Sequence, residues 1–106
     1  MSKYGNKRTE YNGHVFHSKR EAAFAQELEL LKRAKDKGQR VKDIKYQPVF
    51  PIVINDKKVC KYVGDFDVLY ADGRRVLYDV KGFRTAIYRL KKKLMDAVYG
   101  IEIVEV

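Results

Sequence analysis

The chain predicts a single α/β domain, a mixed sheet covered by two helices, and three observations carry that expectation. Ser18 to about Lys37 has helical spacing of its apolar residues, and Gly38 follows as a stop. Strand-like runs separated by turn residues occupy 42–54, 59–70, 75–81 and 101–106. A second helical stretch, from a capping Thr85 to about Tyr99, interrupts the last two of them. The expected order is therefore a small hairpin, α, β, β, β, α, β, with the hairpin-linked strands at the middle of the sheet and helices on one or both faces.

Taken in order, residues 1–10 are polar and basic without periodicity, which predicts a flexible arm ahead of a single domain spanning 11–106. Asn12-Gly13, between aromatic and β-branched residues, is hairpin-turn chemistry. His14 and His17 lie three residues apart, but no matching ligand cluster accompanies them, so solvent or phosphate contact is the simpler reading. In the first helix Ala22, Ala23, Phe24, Leu28, Leu31 and Ala34 form the expected stripe, and Ser18 with Glu21 fits a capping box. Pro48 and Pro51 confine the 42–54 run to an edge or a bulge. Val59 to Tyr70 is expected as one long strand, joined to Arg75–Lys81 through Ala71-Asp72-Gly73-Arg74, in a register that sets Asp65 opposite Val80. In the second helix Ala86, Ile87, Leu90, Leu94, Ala97 and Val98 are the expected core stripe, leaving Arg84, Arg89, Lys91, Lys92 and Lys93 on other faces. Ile101 to Val106 alternates as a final strand, with Ile101, Ile103 and Glu105 on one side.

At 106 residues the chain is long enough for one modest core, and 45% hydrophobic residues place it among globular proteins. Its 23 basic and 14 acidic residues leave +9, which calls for a polyanionic partner. No apolar run approaches the roughly 20 residues of a membrane span, and residues 1–6 carry no signal-peptide core, so a cytoplasmic location is expected. The lone Cys60 excludes an internal disulfide or a thiolate metal cage.

Chemistry concentrates between Tyr62 and Gly82. Side chains alternate along a strand, so Asp79 and Lys81 project to one face and Val80 to the other. Asp65, on the preceding strand, is brought toward them, and Asp67 is a spare acid two residues on. Carboxylates hold Mg²⁺ or Mn²⁺ through hard oxygens, and an adjacent ammonium stabilises charge on phosphorus, a combination suited to phosphodiester hydrolysis. Cross-strand salt bridges of these acids with Lys81 and Arg75 are the structural alternative.

The helix Glu21, Asp65 and Asp79-Val80-Lys81 together resemble the PD-(D/E)XK nuclease superfamily. More narrowly, Ser18-Lys19-Arg20-Glu21-Ala22, Gly64-Asp65-Phe66, Asp79-Val80-Lys81-Gly82 and Tyr88 to Lys93 resemble a family of short phage-encoded endonucleases that includes Holliday junction resolvase-like members. The resemblance runs from about Tyr11 to Val106, with Gly64 where the superfamily name has Pro and Asp79 as the shorter acid. It implies a restriction-endonuclease-like α-β-β-β-α-β core and a metal held by Glu21, Asp65, Asp79 and the carbonyl of Val80. Lys81 completes the catalytic set. It further implies a Mg²⁺- or Mn²⁺-dependent endonuclease acting on branched DNA in phage recombination or DNA packaging, inside a bacterial host.

Arg84, Arg89, Lys91, Lys92 and Lys93 directly follow the Asp-Val-Lys strand and are the candidates for DNA backbone contact, which carries affinity without sequence information. Cutting two strands needs two sites, hence an expected homodimer; no nucleotide cofactor is expected. The alternatives are a nuclease of another class, such as a nickase or a flap or single-strand enzyme, and a non-catalytic basic DNA-binding module.

Overall fold

The computed structural model of the chain describes residues 9–11, 13–80 and 84–106. Strands β1 (Thr9–Tyr11) and β2 (His14–Phe16) pair antiparallel with Tyr11 facing His14 and Gly13 at φ 80°; the expected turn residue Asn12 lies outside the described residues. β1 begins within the stretch expected as an arm. Helix α1 (Lys19–Leu30) starts where Ser18 Oγ accepts the Glu21 N–H at 3.1 Å, the first half of a capping box. It ends earlier than Lys37. Leu31–Arg33 tighten into a 3₁₀ turn, and the Asp36 side chain then accepts from Gly38 N–H at 2.9 Å, so an Asx turn replaces the last expected helical residues.

The two long strands expected over 42–54 and 59–70 are each broken in the middle. β3 (Val41–Tyr46) pairs with β6 (Phe66–Tyr70), and β4 (Val49–Ile54) pairs with β5 (Lys57–Val63), both antiparallel. The register is continuous across the breaks, with Tyr46 facing Phe66 and Val49 facing Val63. The four segments thus form one long hairpin with a corner. At the corner Gln47 has φ 51°, Gln47 N–H donates to Asp65 O at 2.9 Å, and Gly64 N–H donates to Pro48 O at 3.0 Å. Pro48, which has no N–H to give, stands where the ladder breaks. A Cβ on Gly64 would come within 2.9 Å of Leu77 Cδ1, so the corner closes only over glycine.

β3, β6, β7 (Arg75–Asp79) and β8 (Ile103–Glu105) form a four-stranded sheet in that order, antiparallel except for the β7 and β8 pair. The fold is therefore α/β with a mixed sheet, and β4 and β5 make a separate two-stranded sheet. Within the β6 and β7 hairpin, Phe66 faces Tyr78 and Asp67 faces Leu77. That sets Asp65 level with Asp79, one residue from the expected Val80. The loop is the reason: Tyr70 N–H donates to Arg74 O, leaving Ala71-Asp72-Gly73 as a three-residue loop in which Gly73 has φ 92°.

Each face of the sheet has its own core. α1 supplies Ala22, Ala25 and Leu28 to one side, against Phe66, Val68 and Tyr70. On the other side Leu77 and Ile103 meet Met95 and Tyr88 of α2 (Ala86–Tyr99), together with Ile52 and Tyr62 from the folded-over hairpin. The helix α2 has the expected limits but a different buried face. Tyr88 and Met95 point inward and Leu94 packs in part, whereas Ile87 is 68% and Leu90 57% exposed. Tyr88, Lys91, Lys92 and Met95 have the same i, i+3, i+4, i+7 spacing as the expected stripe. Lysine stems lie along the core edge with their heads in water, so this second stripe is equally able to face the sheet.

Among the described residues no helix is long and apolar enough to cross a membrane.

Candidate functional site

The site lies at the corner of the bent hairpin, where the ladder's interruption turns Asp65 out of the strand pattern. Val80 N–H donates to Asp65 Oδ2 at 2.7 Å, which ties the corner to the end of β7. Asp79, the last residue of β7, is 1% exposed, and Tyr62 on the folded-over β5 donates its hydroxyl to Asp79 Oδ2. Tyr62 itself is buried. Burial, followed by its bond to Asp79, pushes the phenol well above its usual range, so it remains a donor at any physiological pH.

Asp65 and Asp79 stand level across the corner, close enough for each carboxyl to bear on the other. The Asp65 carboxyl is pushed up to about 8, first by burial, then by its hydrogen bond to Asp79 and the charge of Asp79. The Val80 amide opposes that shift, and the Glu21 carboxylate on α1 adds to it. Glu21 is 4% exposed in the first turn of α1, with its Oε1 sealed from solvent, as is Asp79 Oδ1. Two like charges with so little water cannot both ionise cheaply, which holds the Asp65 carboxyl above the usual carboxylate range.

Of the four expected catalytic residues, Asp65 thus feels the charge of both Asp79 and Glu21. Among the described residues, however, no three His, Cys, Asp or Glu side chains close on a common point as a metal-holding group. Asp65 and Asp79 form a pair, and Glu21 stands as a third charge felt by Asp65. Lys81 lies outside the described residues. Val80 is half-buried, packed with its side chain on the α1 face, and its amide is the part engaged here.

Asp67, considered as a spare ligand, is taken: Arg75 grips it with Nε at 2.8 Å from Oδ1 and a second nitrogen on Oδ2. The salt bridge expected between Arg75 and the clustered acids thus forms with Asp67 instead.

A third carboxylate level with Asp79 comes from β8. Parallel pairing aligns Asp79 with Glu105, whose carboxylate accepts from Tyr88 OH at 2.7 Å and Arg84 Nε at 2.8 Å, with Lys92 Nζ at 3.6 Å. Those partners, Tyr88 first and Arg84 next, hold Glu105 down at about 2. The five basic candidates for backbone contact are split by α2. Arg84, Arg89, Lys92 and Lys93 line an open groove of about 590 Å³, whose other polar walls are Glu105, Glu102 and Asp96. Lys91 lies on the opposite flank, with Lys61, Tyr62 and Ile87, in a cleft of about 260 Å³.

Sequence reasoning did not identify Tyr62, Tyr88 or Lys61 as parts of the site. Tyr62 reaches Asp79 only because the corner folds β5 over the sheet. Glu105 was legible by alternation as a neighbour of Ile103, although its partners were not.

The chain belongs to the family described as "Protein of unknown function (DUF1064)", whose model matches residues 1–103. No curated protein and no solved structure matches the chain.

Proposed function

We propose that the chain is a metal-dependent DNA endonuclease of the PD-(D/E)XK type, acting in the cytoplasm of an infected or lysogenic bacterial host. The observation that carries this reading is the buried Asp65 and Asp79 pair, with Glu21 adding a third negative charge, inside a protein of net charge +9. A basic protein with polar surface to spare gains nothing in stability from packing acids together; a divalent cation that takes the place of the proton on Asp65 removes the penalty. The donor set fits that role, because both aspartates offer hard carboxylate oxygens suited to Mg²⁺ or Mn²⁺. The order of elements, in which a helix with an acidic first turn precedes an antiparallel hairpin, a helix and a parallel strand, also agrees with a restriction-endonuclease-like core.

In this reading Asp65 and Asp79 hold the ion, with Glu21 and the Val80 carbonyl as further donors. The ion supplies Lewis-acid polarisation of a phosphoryl oxygen and a lowered pKa for water. Tyr62 holds one Asp79 oxygen and the Val80 amide holds one Asp65 oxygen, so both carboxylates are oriented before substrate arrives. Lys81, two residues after Asp79, stabilises the charge that develops on phosphorus and steers the attacking water. Arg84, Arg89, Lys91, Lys92 and Lys93 position the phosphate backbone. Recognition of branch shape suits backbone contacts that carry no sequence information, and a homodimer would provide paired nicks in a Holliday junction during phage recombination or packaging.

The test uses end-labelled four-way junction, flap and linear duplex of matched sequence with Mg²⁺, Mn²⁺ or EDTA, beside Asp79→Asn and Lys81→Ala. Paired symmetric nicks in the junction, abolished by EDTA and by either substitution, are the expected result. Binding without cutting by the unmutated protein would overturn the catalytic reading and leave a DNA-binding module. Equal cutting of all three substrates would retain the chemistry and remove the junction preference.

A further inference from the structure

The apolar residues of α2 that do not face the core are the feature the site leaves unexplained. Ile87 and Leu90, one turn apart near the start of the helix, are largely exposed, beside Ala86, which is exposed as well. Leu30 of α1 is exposed to a similar degree, but Ile87 and Leu90 lie together on one helix face beside the site. The flanks indicate what covers them. On one side of the crest lie Lys61 and Lys91, and on the other Arg89 and Lys93, with Arg84 and Lys92 behind them on Glu105. The acidic residues of that second groove, Asp96, Glu102 and Glu105, belong to the last turns of α2 and to the segment after it, away from Ile87 in sequence. The crest therefore runs between a lysine-lined cleft that borders Tyr62, which holds Asp79, and a groove of mixed charge on whose crest side Arg89 and Lys93 stand.

Resting on the nucleic-acid reading above, we infer that the first two turns of α2 form a wedge for branched DNA: Ile87 and Leu90 cover the exposed base faces at a branch point, and the basic residues on either side receive the phosphates of two diverging arms. Each element of the surface matches one part of such a ligand. Bases that end a stack expose flat apolar faces, which aliphatic side chains cover, as they do where apolar wedges enter between base steps. The phosphates of separating strands diverge, and the basic residues of one flank serve each strand. An unbranched duplex offers neither the open stack nor the divergence. A second copy of the chain laid on the same crest would bring lysine and arginine flanks against like charges, and an anionic membrane surface would not distinguish the two flanks.

The experiment measures binding in EDTA, where cleavage plays no part. Fluorescence anisotropy gives affinities for a four-way junction, a fork and a linear duplex of matched sequence, and 2-aminopurine at the branch reports unstacking. For the unmutated protein the expected result is tighter binding of the junction and fork than of duplex, with a rise in 2-aminopurine emission. Ile87→Ser with Leu90→Ser should lower that preference about tenfold and abolish the emission rise while leaving duplex affinity nearly unchanged. Ile87→Phe with Leu90→Phe should keep the preference, which separates lost stacking from a damaged fold. Lys61→Ala and Lys91→Ala should each reduce the salt dependence of junction binding by about one unit of slope. A double-serine protein that keeps the full preference overturns the wedge. So does one whose only change, by light scattering, is conversion of a dimer to a monomer, which would make the crest a self-association surface. Junction-selective binding without any nuclease activity in Mg²⁺ would leave this inference standing and remove the catalytic one; cutting with no crest-dependent preference would do the reverse.

Discussion

Asp65 and Asp67 are two residues apart on the same hairpin arm, yet the fold treats them in opposite ways. Asp67 lies inside β6, where regular pairing brings Arg75 across the ladder to grip both its oxygens. Asp65 lies at the corner, where pairing has stopped, and its neighbours are Asp79, Glu21 and one backbone amide. Asp67 is neutralised by Arg75, whereas burial and Asp79 push the Asp65 carboxyl upward. Glu105, level with Asp79 on the next strand, follows Asp67: Arg84, Lys92 and Tyr88 satisfy it. Regular sheet geometry thus gives Asp67 and Glu105 their cations, and the break in the ladder sets Asp65 beside Asp79 at the end of β7.

The largest effect expected from that contrast is on activity. Asp79→Asn should lower junction cleavage in Mg²⁺ by at least about a hundredfold while leaving junction affinity in EDTA intact, whereas Asp67→Asn should leave cleavage within a few-fold of normal. Equal losses from both would remove the distinction between the two acids.

Next comes stability and its dependence on pH. The Asp65 carboxyl ionises near pH 4 in an unfolded chain and near pH 8 in the folded one, so the folded state binds the extra proton between those limits. In EDTA the stability of the unmutated protein should therefore fall as pH rises from about 4 through about 8, by an amount on the order of a few kcal/mol. Asp65→Asn should flatten that part of the urea-unfolding profile, and Mg²⁺ should restore stability at pH 8 only when Asp65 is present. A wild-type profile that rises with pH across the same window would contradict the proton-sharing pair.

Arg75→Ala should cost about 1–3 kcal/mol, because it leaves the buried Asp67 without its cation, discounted for the exposure of the guanidinium. Gly64→Ala should cost a similar amount by forcing Leu77 away from the corner, and differential scanning calorimetry would read both. The smallest effect is expected from Glu105→Gln. It should change stability by less than about 1 kcal/mol, since its ion pairs are partly solvated, while freeing Arg84 and Lys92 to bind DNA somewhat more tightly.

Much of this was legible before any coordinates. The turn at Gly13, the Ser18 and Thr85 caps, the termination before Gly100 and the alternation of the last strand are local matters, settled by residues within a few positions of one another. The α/β class follows from their order. Three things were not legible. Two stripes of equal helical spacing compete on α2, and only the sheet beneath it selects Tyr88 and Met95 over Ile87 and Leu90. Gly73 shortens the β6 and β7 loop by one residue, which moves Asp65 from Val80 to Asp79. The corner at Pro48 and Gly64 needs two distant breaks to coincide across a ladder.

The residues of the candidate site follow the same division. Spacing along the strands singled out Asp65 and Asp79, the family resemblance added Glu21, and the chain's charge placed a basic run directly after Asp79, because spacing and charge are properties of the chain. Tertiary structure decided that Arg75 closes on Asp67, that Tyr62 holds Asp79 and the Val80 amide holds Asp65, and that α2 divides its lysines and arginines between two flanks. These depend on contacts between residues far apart in the chain, which form only when the hairpin bends and its outer half folds back over the sheet.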